Sequence, residues 1–123
     1  MSDQIEMPAS PTAPEKYQAI TIIMLVNGII NVLIGLTITW GAISTIVGIL
    51  CLPITVLPLV LGTFEVVYAA KMLSNKTVPA SRIKTLAIFE IVGIIYGNAI
   101  SLIAGILNLV FLDDDTVKAY LPE

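Results

Sequence analysis

Charge is what this sequence has least of. From Gln18 to Ala70 the only charged side chain is Glu65, and from Thr85 to Leu112 it is Glu90. A water-soluble fold of 123 residues needs polar surface over its core, and these stretches supply almost none. They predict an all-α integral membrane protein, with the bilayer as its solvent.

Histidine is absent, and cysteine occurs once, as Cys51 inside an apolar run. Zinc, haem and iron–sulfur sites built from His or several Cys are excluded within this chain, and no metal or other cofactor is expected. A lone thiol makes no internal disulfide. No nucleophile–base constellation or phosphate loop is present, so an enzyme is not expected. The net charge is -3, with the acidic excess in the two tails, which argues against a nucleic-acid partner. Residues Met1 to Pro14 hold no Lys or Arg, so the basic region of a signal peptide is missing. Pro8, Pro11 and Pro14, mixed with Ser, Thr and Ala, predict a disordered tail over 1–16.

The whole chain is 57% hydrophobic and 12% charged, against about 25% charged in ordinary soluble domains. The length allows one transmembrane helical domain over 17–123. Its first apolar run is more than twice the roughly 20 residues that one span needs. The break is placed at Thr39–Ala42, where Gly41 can close a helix and Trp40 suits the membrane interface. Helix 17–40 precedes it. Helix 42–73 follows, because Ser44, Gly48, Cys51, Thr55, Pro58, Gly62, Glu65 and Ala69 advance in alternating steps of four and three. That phase survives Pro53 and Pro58, which predict kinks rather than an end.

The third run is read the same way. Glu90, Gly93, Gly97, Ser101, Gly105 and Asn108 share one face. Cutting at Gly97-Asn98 would leave two helices of about 13 residues, too short to span. The expectation is one helix over 82–112 with Ser81 as its N-cap. The total is three spans, with four as the alternative. Asp113 to Asp115 are expected to cap a short interfacial segment, 116–121, whose apolar face is Val117, Tyr120 and Leu121.

Orientation follows from Lys71, Lys76, Arg82 and Lys84, which put the loop between the second and third helices in the cytoplasm. With three spans the N-terminus is cytoplasmic and the C-terminal tail outside. An apolar hairpin, a basic loop, a long apolar helix and a short acidic tail together resemble small bacterial multi-span membrane proteins. That resemblance implies a multi-pass protein of the bacterial inner cell membrane.

Small residues on the stripes allow close helix approach. The packing residues predicted are Gly28, Asn31, Gly35, Gly48, Gly62, Gly93, Gly97, Ser101 and Gly105. Asn27, Asn31, Asn98 and Asn108 can bond across helices. The partners expected are membrane lipids and either other integral membrane subunits or a second copy.

Glu65 and Glu90 are the candidate proton or ion site. They sit in near-identical settings, Phe64-Glu65-Val66-Val67 and Phe89-Glu90-Ile91-Val92. Each is six residues from a basic side chain of the loop, Lys71 or Lys84, which gives them one depth. Counting about 20 residues inward from the far ends sets that depth at the inner interface. Partly hydrated, replaceable carboxylates are the expectation there, with a pair sharing one proton as the sharper alternative. A structural or accessory subunit is therefore the leading function. An oligomeric ion channel or carrier using the two glutamates is the alternative.

Overall fold

The computed structural model describes residues 12–76, 78–96 and 98–122. Every regular element among them is helical. The long helix α1 runs over Glu15–Ile43. Two short helices follow, α2 (Ile46–Leu50) and α3 (Leu52–Thr55), and lead into α4 (Leu57–Leu73). After a loop come α5 (Ala80–Val92), a 3₁₀ turn over Gly93–Tyr96, α6 (Ala99–Leu112) and the short α7 (Asp115–Tyr120).

Two helical stretches are long and apolar enough to cross a membrane: Glu15–Ile43 and Leu52–Leu73. Their most apolar parts are only 39% and 22% buried, whereas the core helix of a soluble fold would be mostly covered. Leu33, Leu36, Trp40, Ile46 and Leu50 all face outward.

The α1–α4 pair is antiparallel and closes on glycine. A methyl group on Gly35 would lie 2.5 Å from the Leu59 backbone nitrogen, and one on Gly28 would lie 2.8 Å from Glu65 Cβ. Such contact is the main source of helix association where lipid removes the hydrophobic drive. The α5–α6 pair closes likewise, with a Gly105 methyl meeting the Ala87 carbonyl oxygen at 2.5 Å. Four helices thus form an up-and-down bundle in which α1 borders α4 and α6, and α4 borders α5.

Three boundaries differ from the sequence expectation. The first helix runs through Trp40 and Gly41 to Ile43, and Thr45 caps α2 by accepting from the Gly48 amide at 2.9 Å. Gly41 has open space around it, so nothing there forces a stop. The single helix 42–73 is three pieces, because Pro53 and Pro58 each sit in the first turn of a new helix. The single helix 82–112 is two helices packed against each other, with the 3₁₀ turn Gly93–Tyr96 after the first. Ser81 is not a cap: α5 starts at Ala80, with Pro79 before it.

That fold-back changes the topology. Lys16 pairs with Asp114 at 2.5 Å, the Tyr17 and Tyr120 rings lie 4.8 Å apart, and the Ala80 amide donates to the Pro122 carbonyl oxygen at 2.9 Å. The start of α1, the basic loop and the C-terminal segment therefore share one end of the bundle. An outward C-terminal tail, on the side opposite the loop, is overturned. The expected cap of the last segment holds: Asp114 accepts from the Thr116 amide at 3.0 Å, and Val117 and Leu121 are buried. Of the predicted tail, residues 1–11 lie outside the described residues.

Candidate functional site

Four helices deliver polar side chains to one point in an otherwise apolar bundle. Asn27 and Asn31 come from α1, one turn apart. Glu65 comes from α4 and Glu90 from α5. Ser101 and Asn108 come from α6, with Asn98 just ahead of it. Both glutamates are 0% exposed, so neither is the partly hydrated interfacial group expected from sequence.

Their depth explains the difference. Residue 29 is the midpoint of α1 and residue 65 the midpoint of α4, so Asn27, Asn31 and Glu65 cluster halfway along these helices. Counting inward from Asp113 rests on an unbroken last helix, and the 3₁₀ turn at Gly93–Tyr96 removes that basis.

The two carboxyl groups meet at one shared side-chain amide. Asn27 bridges them, donating to Glu65 Oε2 at 3.1 Å and to Glu90 Oε1 at 3.3 Å. Asn31 donates to Glu65 Oε2 at 3.2 Å, and Asn108 to Glu90 Oε2 at 3.2 Å. Behind them, Ser101 Oγ bonds Asn27 Oδ1 at 3.2 Å, and Asn98 donates to Asn31 Oδ1 at 2.6 Å.

All of these donors are neutral. Beyond Lys16, α1 holds no basic residue, and α6 holds none. Lys71 on α4 and Lys84 on α5 are each six residues from a glutamate, about 9 Å along the helix. Two carboxylates held on one amide and away from water repel each other, and burial of both charges is costly. A single proton held between them, with the remaining charge spread over the amide donors, fits this cage. Asn108 suits either protonation state. Its nitrogen donates to a carboxylate, and after a flip of the amide its oxygen accepts from a carboxylic acid. Its Oδ1 is the one buried side-chain polar atom without a partner among the described residues.

The site is sealed toward the basic end. Ile20, Met24, Ala69, Met72, Ile83 and Leu86 fill the bundle there. On the opposite side, Asn31, Asn98 and Ser101 reach the wall of a groove between α4 and α5.

The predicted packing residues divide. Gly28, Asn31, Gly35, Gly62, Ser101 and Gly105 all lie at the helix contacts around this site. Gly48 packs instead against Ala42, at the far end. Gly93 begins the 3₁₀ turn, where a methyl would have ordinary contact with Ser101 Cβ at 3.6 Å, so it is a turn residue rather than a packing face. Gly97 lies outside the described residues. Asn27 and Asn108 were expected to bond across helices, but their attachment to the glutamates was missed. The available signal was the i, i+4 pair Asn27 and Asn31 on an apolar helix.

No known family, curated protein or solved structure matches this chain.

Proposed function

We propose that this chain is a small multi-pass integral membrane protein whose Glu65–Glu90 pair binds and releases a proton within the bilayer. It would thus act as the ion-handling unit of a carrier or channel. The observation that carries this is the convergence of two fully buried carboxyl groups on the single side-chain amide of Asn27. Sequence alone favours an accessory role because it sets the glutamates at the interface. Burial at mid-helix removes that ground, and an ionisable pair at such depth costs too much to be incidental.

In this proposal α1 and the α3–α4 unit cross the membrane. The helices α5 and α6, of 13 and 14 residues, are each about 20 Å long and form a re-entrant hairpin that enters and leaves on one side. Lys16, Lys71, Lys76, Arg82, Lys84 and Lys118, all six basic residues, then lie on that side, which the positive-inside rule makes cytoplasmic. This placement puts both the N-terminus and the C-terminal segment on the cytoplasmic side. A bacterial inner membrane fits this layout.

An accessory role is the second reading. It is favoured by the satisfaction of the carboxyl oxygens by amides from two other helices, which makes the cluster an effective clamp. Reconstituted vesicles separate the two. Under proton handling, the wild type carries a pH-gradient-driven flux that Glu65→Gln and Glu90→Gln each abolish. Equal flux from wild type and both variants would overturn proton handling and leave the clamp.

A further inference from the structure

The α4–α5 groove has a volume of about 420 Å³ and almost wholly apolar walls. Leu61, Phe64 and Tyr68 supply one wall, at helical spacing along α4. Leu86, Phe89 and Val92 supply the other, along α5. The groove exists because α4 packs closely on α1 but much less closely on α5. It runs from Arg82, at the loop end, to Gly93, eleven residues on, which is about 16 Å of helix. That is about half the 30 Å hydrocarbon thickness, the depth of one leaflet.

The mouth of the groove is cationic. Arg82 lines it, is exposed, and takes no part in the ion pairs found among the described residues, which are Lys16–Asp114 and Lys118–Asp113. Lys71 Nζ sits 5.3 Å from the centroid of the ring of Tyr68, which lines the groove. The deep end carries no charge on its lining, only Asn31, Asn98 and Ser101. A ligand that matches is amphiphilic, with an anionic head at Arg82 and one apolar chain reaching a leaflet's depth.

We propose that this groove binds one anionic phospholipid of the cytoplasmic leaflet, its phosphate on Arg82 and one acyl chain between Phe64 and Phe89. The guanidinium fork suits a phosphate diester, and Lys71 adds a second positive charge. The site rests on the membrane placement proposed above, but not on proton binding by the glutamates. Seated there, the chain end touches Asn31 and Asn98, which belong to the network holding Glu65. Lipid occupancy and the carboxyl pair are therefore in contact through two side chains.

The test uses the full-length protein, purified in mild detergent and stripped of lipid, with native mass spectrometry as the readout. Dioleoyl phosphatidylglycerol is compared with dioleoyl phosphatidylcholine, which has the same chains and a zwitterionic head. One phosphatidylglycerol should bind saturably, about tenfold tighter than phosphatidylcholine. Arg82→Gln should bring that preference below about twofold, whereas Lys76→Gln, on the same loop but off the groove, should keep it. Val92→Trp, which fills the groove, should weaken both lipids about tenfold while Arg82 is intact. Equal loss in Lys76→Gln and Arg82→Gln would show attraction to the loop as a whole and overturn the site. Unchanged binding in Val92→Trp would overturn it as well, as would a groove filled by a second copy, seen as a dimer that Val92→Trp dissociates. Carbonate extraction of native membranes tests the placement separately. A chain that resists extraction yet shows no lipid preference fails the lipid proposal alone.

Discussion

Gly28 and Gly62 face each other so closely that a methyl group on either would strike the other's carbonyl oxygen, at 3.0 Å from Gly28 and 2.6 Å from Gly62. The contact is reciprocal and joins backbone to backbone, so no side chain can move aside to relieve it. Gly62→Ala should therefore lower stability by about 1–3 kcal/mol, the usual penalty for overpacking. Gly41→Ala has open space and a helical backbone, so it should be neutral or slightly stabilising. Thermal unfolding in detergent compares them. Equal melting of the two variants would mean that α1 and α4 do not meet at this register.

The asparagines of the site are not equivalent. Asn27 donates to both glutamates, and Asn108 donates to one while leaving its own Oδ1 unpaired. Asn27→Leu should cost about 1–2 kcal/mol, within the range for interhelical hydrogen bonds in membranes. Asn108→Leu should cost distinctly less, because it removes an unsatisfied acceptor along with the hydrogen bond. A larger loss from Asn108→Leu would reverse the order and show that its oxygen has a partner, such as the proton of Glu90.

The C-terminal fold-back predicts sidedness. Single cysteines in place of Lys76 and Lys118, on a Cys51→Ser background, should both be protected from an impermeant thiol reagent in intact cells. A cysteine in place of Ser44, at the far end, should be labelled. Labelling of position 118 with protection of position 76 would restore three full spans.

Acid should release the C-terminal segment before it disturbs the bundle. The ammonium group of Lys16 and the hydroxyl of Thr116 hold the Asp114 carboxyl down at about 2, from an ordinary value of 3.8. A carboxyl lowered by folding contributes stability above its unfolded value, and that contribution disappears as pH falls from near 3.8 through about 2. The cross-peak between the Tyr17 and Tyr120 rings in a nuclear Overhauser spectrum should fade over that window. Lys16→Ala should weaken the cross-peak at neutral pH and flatten its acid response. An unchanged profile in Lys16→Ala would assign the docking to the apolar contacts of Val117 and Leu121 alone.

Much of this arrangement is legible in the residues, for reasons that also mark where legibility ends. The glycines at 28, 35, 62 and 105 announce close backbone approach because only a missing Cβ permits it. The stripe through Glu90, Ser101 and Asn108 is equally visible, but its phase does not reveal the fold-back. From Val92 to Ala99 is seven residues, two turns of an ideal helix, so the polar positions on either side keep the phase that one unbroken helix would give. Periodicity alone then cannot separate one helix from a hairpin. Charge could have done so. All six basic residues gather at one end only if Lys118 returns to the loop side, and the paired depth of Glu65 and Glu90 needs no third full span. The depth itself depends on tertiary packing, since it follows from where α1 runs past the two glutamates.

The gathering of every basic residue at one end also bears on how the protein enters a membrane. In the proposed topology, the part that passes to the far side is the end of α1, the helices α2 and α3, and the start of α4. From Gln18 to Phe64 that stretch carries no ionisable acid or base apart from the thiol of Cys51. A charged residue at the centre of a helix costs about 2.5–3.5 kcal/mol on insertion scales, and this hairpin incurs no such cost in crossing. In that topology Glu65 stops at mid-depth, and Glu90 arrives there on a hairpin that turns back. Insertion in that arrangement would transport no fixed charge across the bilayer, and the membrane potential would exert no pull on the translocated segment.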